Sequence, residues 1–181
     1  MPETLQLPKF IEISGQLVLL RSFTFENITD EYIGWLNDPL VVRYSNQRFI
    51  THNISTCEHY LSSFDGSDHR FLSICDLITK KPIGTATVYV ARHHATADAG
   101  IMIGHHEFRG KGYGQDAWNA LIYWLLGAGG LRKVTAGALA CNYPMVQLMK
   151  RSGMHLEAVR CRQEIVEYHE EDLVLYAKFR P

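Results

Sequence analysis

The sequence predicts a single α/β domain, and three observations carry that prediction. Residues 97–103, Ala-Asp-Ala-Gly-Ile-Met-Ile, alternate as a strand does, with Ala97, Ala99, Ile101 and Ile103 on one face. A Gly-rich basic turn follows, Glu107-Phe108-Arg109-Gly110-Lys111-Gly112-Tyr113-Gly114, and an apolar helix pattern then runs from about Gln115 to Leu126. The chain has 181 residues and is 46% hydrophobic, which suits one domain with a real core.

The other elements can be justified in chain order. Residues 1–10 read as a loose arm, because Pro2 and Pro8 flank a short polar stretch. Gln16–Arg21 is a short apolar strand. Thr29 to Asn37 is helix-like and ends before Asp38-Pro39, where proline disfavours continuation. Ser55-Thr56-Cys57-Glu58 matches a capping box that opens a helix to about Phe64. Arg70–Leu77 and Ile83–Ala91 form a hairpin around Thr79-Lys80-Lys81-Pro82. Thr96–Ile103 is the alternating strand. Leu131–Ala138 is a strand, Asn142–Arg151 a helix stopped at Gly153, and Leu156–Val166 with Asp172–Phe179 a final strand pair.

The turn after Ile103 is built to hold an anion. Glycines let a backbone approach a ligand closely. The first N–H groups of a helix have no internal partners and can point at phosphate oxygens. Arg109 and Lys111 add positive charge beside them. The dinucleotide fingerprint fails, because the position three after Gly112 is Gln115 rather than glycine. No Gly-Lys-Ser/Thr sequence exists, so the nucleotide-hydrolase loop fails as well. What remains is Arg-x-x-Gly-x-Gly, filled by Arg109, Gly112 and Gly114.

That pattern resembles the pyrophosphate-binding motif of the GNAT superfamily of acyl-CoA-dependent N-acetyltransferases. The resemblance covers about Gln16 to Phe179. Gly34-Trp35-Leu36-Asn37-Asp38-Pro39, followed by Val42-Arg43-Tyr44, looks like the branch containing ribosomal-protein N-terminal and sugar-nucleotide amine acetyltransferases. It implies a central mixed, mostly antiparallel sheet flanked by helices, with acetyl-CoA as co-substrate. Coenzyme contacts would come from Arg109, Gly110, Lys111, Gly112, Tyr113 and Gly114. The strand before the turn would grip the pantetheine arm near Ile101, Met102 and Ile103, and Asn142 would contact that arm while capping its helix.

Asp98, on the polar face of that strand, has two readings: general base or amine-orienting group, or a solvent-facing aspartate at a sheet edge. Many relatives keep a proton-donating Tyr seven residues after the Asn, and here that position is Met149. Tyr143 is the nearby hydroxyl considered as acid in its place. The resemblance implies N-acetylation of a primary amine: an amino sugar or sugar nucleotide, or a protein N-terminal α-amine. An α-amine, with pKa about 8, needs less help from a base than a lysine amine at about 10.4. A non-catalytic acyl-CoA sensor is the rival reading, and the missing Tyr favours it.

Composition narrows the rest. A net charge of −1 argues against nucleic-acid binding. Met1-Pro2-Glu3 is not a basic start and no apolar core follows, so no secretory signal is expected. The longest apolar run, Ala117–Leu126, contains Asn119 and is too short to span a bilayer, so no membrane partner is expected. Cys57, Cys75, Cys141 and Cys161 form no CxxC pair and read as reduced thiols of a cytoplasmic protein. His93-His94 and His105-His106 are adjacent pairs that point to opposite faces if extended, so zinc is not expected. His93 or His94 is a candidate for the acceptor site. A monomer or a homodimer is compatible with these features.

Overall fold

Alternating apolar residues commit the strands to one sheet, and the helix patterns cover both of its faces. The computed structural model describes residues 7–181. Its strands are β1 (Glu12–Ser14), β2 (Val18–Ser22), β3 (Arg70–Asp76), β4 (Pro82–Ala91), β5 (Thr96–Ile103), β6 (Lys133–Leu139), β7 (His155–Val166) and β8 (His169–Phe179). The helices are α1 (Asp30–Asn37), α2 (Pro39–Val42), α3 (Ile54–Ser62), α4 (Tyr113–Leu126) and α5 (Tyr143–Arg151). The sheet order is β1-β2-β3-β4-β5-β6-β8-β7. Every neighbouring pair is antiparallel except β5 with β6, which α4 connects. No helix among the described residues is long and apolar enough to cross a membrane.

The two sheet faces carry separate cores. Ala97 and Ala99 of β5 sit in the larger one with Trp118, Leu121 and Leu125 of α4 and Met149 of α5, and Ile101 and Ile103 pack against it. Trp118 is fully buried and its indole N–H donates to Ser152 Oγ at 3.1 Å, so its one polar atom is satisfied. The opposite face holds Phe23, Tyr32, Trp35, Leu36, Cys57, Leu61 and Phe71, with Met102 of β5 against them. The side-chain alternation predicted for β5 therefore divides two cores. Gly104 makes this possible at the strand end, where a Cβ would sit 2.1 Å from the Trp35 ring.

Several boundaries differ from the sequence expectation. The strand expected over Gln16–Arg21 is β2, Val18–Ser22, and β1, which precedes it across the turn at Gly15, was not foreseen. The third helix is capped by Asn53, whose side chain accepts from Thr56 N–H while Thr56 Oγ1 accepts from Asn53 N–H. The box therefore lies two residues before the expected one. The expected loose arm is partly fixed: Leu7 is buried, and the Arg70 guanidinium donates to the Leu7 and Pro8 carbonyls. Residues 1–6 of that arm lie outside the described residues. Tyr123 falls within the apolar helix pattern of 115–126, yet it is 83% exposed because it lies on the outer side of α4.

Candidate active site

The decisive local feature is where β5 loses a neighbour. Along its whole length β5 pairs with β4, from Thr96–Ala91 to Ile103–Gly84. With β6 it pairs only at Thr96–Lys133, Ala97–Val134 and Asp98–Thr135. Beyond Asp98 the two strands part, and residues 99–103 present one backbone edge to a gap. Ile101, Met102 and Ile103 lie along that gap, where the pantetheine grip was expected. Asn142 stands after the end of β6 and caps α5, its Oδ1 accepting from Met145 N–H at 3.3 Å.

The Gly-rich turn closes one end of the gap. A short turn of 3-10 helix over His106–Phe108 leads to extended Arg109. Gly110 (φ +71°) and Gly112 (φ +90°) are both left-handed, which explains the choice of glycine there. Gly112 is the N-cap of α4, and the first intrahelical bond runs from Asp116 N–H to Gly112 O at 2.9 Å. The N–H groups of 113–115 therefore lack intrahelical acceptors. A Cβ at Gly110 would meet nothing within 4 Å, so its glycine answers to the left-handed φ rather than to crowding. Lys111 is exposed beside it.

Three side chains brace this turn. Arg109, expected to face phosphate, donates from Nε to Ile103 O (2.9 Å) and from Nη2 to Gly104 O (2.7 Å), tying the turn to the end of β5. The Tyr113 hydroxyl donates to Asp76 Oδ1 at 3.1 Å. Thr79, through its N–H and hydroxyl, holds the Asp76 carboxyl below its usual range, and Tyr113 adds to this. Asp116 accepts from the N–H groups of Gln16 (3.1 Å), Leu17 (2.8 Å) and Val18 (3.1 Å), clamping α4 to the β1–β2 turn. Gly15 leaves room for it, since a Cβ there would lie 2.3 Å from Asp116 Oδ2. Sequence reading missed Asp76 and Asp116 because their partners are distant in the chain or are backbone groups.

On the α1/α3 side, a half-open cavity of about 410 Å³ reaches β5 at Gly100, Ile101 and Met102. Tyr32 of α1, Cys57 and Tyr60 of α3, Phe71 of β3 and Tyr89 of β4 line it, together with His52. Asn37 fixes the His52 backbone, accepting from its N–H (2.8 Å) and donating to its carbonyl (2.9 Å). His52 Nε2 is buried with no hydrogen-bond partner among the described residues. No sequence motif pointed to His52, Tyr60 or Tyr89.

Two expected catalytic residues lie elsewhere. Asp98 does not line the cavity, and its Oδ2 accepts from Thr135 Oγ1 at 2.7 Å. The residue keeps an exposed edge, but its carboxyl is crowded, and that desolvation pushes its pKa up while the Thr135 bond opposes the shift. Tyr143 is 71% exposed at the first turn of α5 and is likewise absent from the cavity wall. Met149 is fully buried in the larger core. His93 and His94 form a short turn after β4 and do not reach the cavity; His105 is buried beside Lys81. No group of three or more His, Cys, Asp or Glu among the described residues could hold a metal ion.

A family model described as an acetyltransferase (GNAT) domain matches residues 18–155, a stretch that includes the gap, the turn and the cavity. The chain belongs to the GNAT family. It is an acetyltransferase, and structural neighbours of this family are seen with CoA or acetyl-CoA bound. No curated protein matches the chain by sequence. Among solved structures, spermidine N-acetyltransferase from Vibrio cholerae, in complex with CoA and spermine, is 16% identical with a TM-score of 0.81, covering 91% of this chain and 96% of that one. The microcin C7 self-immunity acetyltransferase MccE, in complex with acetyl-CoA and AMP, is 20% identical with a TM-score of 0.76 over 91% and 93%. Ribosomal-protein-S5-alanine acetyltransferase from Vibrio fischeri is 16% identical with a TM-score of 0.72 over 94% and 97%. At these identities the likeness concerns the GNAT fold, and the three differ in what their names say they act on.

Proposed function

We propose that this chain transfers the acetyl group of acetyl-CoA to a primary amine seated in the cavity, the acceptor being an amino sugar, free or nucleotide-linked, or a protein N-terminal α-amine. One observation carries the reading. The same stretch of β5, Gly100 to Met102, borders the gap on its edge and the cavity on its face. A thioester lying in the gap would present its carbonyl carbon to whatever occupies the cavity.

Each part then has a task. The free N–H groups at the start of α4 and the Lys111 ammonium take the pyrophosphate. The unpaired edge of 99–103 and Asn142 take the pantetheine arm, and a β5 N–H polarises the thioester carbonyl. The neutral amine attacks the carbonyl carbon, the C–N bond forms, the C–S bond breaks, and the ammonium proton passes to solvent. Met149 is buried and has no proton to give, and Tyr143 stands exposed beside Asn142. A thiol of pKa about 8.5 departs tolerably as thiolate, so water suffices.

The test is thiol release from acetyl-CoA across a panel of amines. Turnover of at least one amino sugar or N-terminal peptide is expected. Tight acetyl-CoA binding with no turnover on any amine would favour the sensor reading instead.

A further inference from the structure

The cavity wall carries no carboxylate, ammonium or guanidinium group among the described residues. Its ring faces are Tyr32, Tyr60, Phe71 and Tyr89. Its polar groups are chiefly hydroxyls and an amide, among them Ser45, Thr85, Thr87 and Gln47, with the His52 imidazole beside them. The Tyr60 and Tyr89 hydroxyls bond each other at 2.8 Å. Burial first, and then that bond, pushes the Tyr60 phenol well above its usual range, so it stays neutral.

This wall discriminates between amines by simple electrostatics. A polyamine brings several ammonium groups, and each loses hydration on entering a half-enclosed site. Without a carboxylate nothing repays that loss. Ring faces attract one cation but do not neutralise a chain of them. A monoamine meets a milder version of the same effect. Desolvation disfavours its charged form and shifts it toward the free base, the form that attacks a thioester. Its body then decides affinity. Aromatic faces suit the C–H faces of a saturated ring, and wall hydroxyls suit ring hydroxyls. A volume of about 410 Å³ holds one such ring with its substituents.

We propose that the cavity takes a monoamine with an uncharged, hydroxyl-bearing ring, an amino sugar, and turns polyamines away, although a spermidine acetyltransferase shares the fold. This rests on the acyl-transfer reading above and narrows its acceptor. The free base arises because no carboxylate in the wall holds the ammonium form, which accounts for a cavity that lacks an acidic residue.

The experiment compares kcat/KM for glucosamine, spermidine and an alanine-initiated tripeptide, with acetyl-CoA saturating. Glucosamine should exceed each of the others by at least tenfold. Gln47→Glu, which adds a carboxylate to the wall at nearly constant size, should move the spermidine-to-glucosamine ratio toward spermidine by at least tenfold. Spermidine equal to or better than glucosamine in the native protein would overturn the proposal, as would an unchanged ratio in Gln47→Glu. Preference for the tripeptide would overturn the amino-sugar class and leave acyl transfer standing. No turnover on any of the three, with acetyl-CoA still bound, would overturn the underlying reading itself.

Discussion

Asp98 occupies the last paired position before β5 and β6 part, and its bond to Thr135 ties the two strands at that vertex. We propose that the side chain acts as a clasp for the gap rather than as a base for the amine. Asn can accept the same bond from Thr135. Asp98→Asn should therefore keep kcat/KM within about threefold, whereas loss of a general base costs about 10²-fold or more. A 10²-fold fall with unchanged acetyl-CoA affinity would restore Asp98 as the base. The same variant carries a pH signature. The folded protein raises the Asp98 pKa above its ordinary value of 3.8, so the residue's contribution to stability is lost as pH rises through the folded pKa. Asp98→Asn should match or exceed the native melting temperature at neutral pH and lose that advantage in acid. Met149 offers a second check. Met149→Leu conserves volume in a full core and should cost less than about 1.5 kcal/mol with activity retained. Met149→Tyr overpacks the site and should cost about 1–3 kcal/mol without adding an alkaline limb to the pH profile of kcat. Thermal melts and kcat profiles of both variants decide this.

Among the elements, α4 does most to set up the coenzyme site. Its first N–H groups lack intrahelical acceptors, and the hydrogen bonds of Arg109, Tyr113 and Asp116 fix its start to the rest of the fold. A preformed turn loses little entropy on binding, which is why its bracing matters for affinity. Gly112→Val forces a β-branched residue to φ +90° and should weaken acetyl-CoA binding at least tenfold, about 1.4 kcal/mol. Calorimetry giving native affinity would remove the turn from the coenzyme site. Asp116→Ala strips three N–H groups of their acceptor and should destabilise the protein by about 1–3 kcal/mol, read from denaturant melts. An unchanged midpoint would show that water replaces the clamp.

Much at this scale was legible in the sequence. The bounds of β5 follow from strict alternation, and the turn follows from glycines whose left-handed φ the sequence could only hint at. The strand β1 escaped because it spans three residues, too few for a period. The cap at Asn53 escaped because Ser55 offered a competing box nearby. Asp116 was one charge in an apolar helix pattern, and nothing local showed that its partners lie about a hundred residues away.

Across the whole molecule, two cores on opposite faces of one sheet leave a single strand, β5, in contact with everything that matters. One face of β5 packs on α4, the other borders the cavity, and one edge opens beside β6. The sequence showed β5 and the turn but not the cavity. The cavity wall is drawn from α1, α3, β3 and β4, elements whose side chains meet only after the sheet has formed. The account stands or falls on where the thioester lies, and a crystal structure of the protein with acetyl-CoA would show it. The pyrophosphate should sit against the N–H groups at the start of α4, the pantetheine along residues 99–103, and the acetyl carbon at the cavity mouth beside Ile101. A coenzyme bound away from this gap, or an acetyl group sealed off from the cavity, would contradict the account.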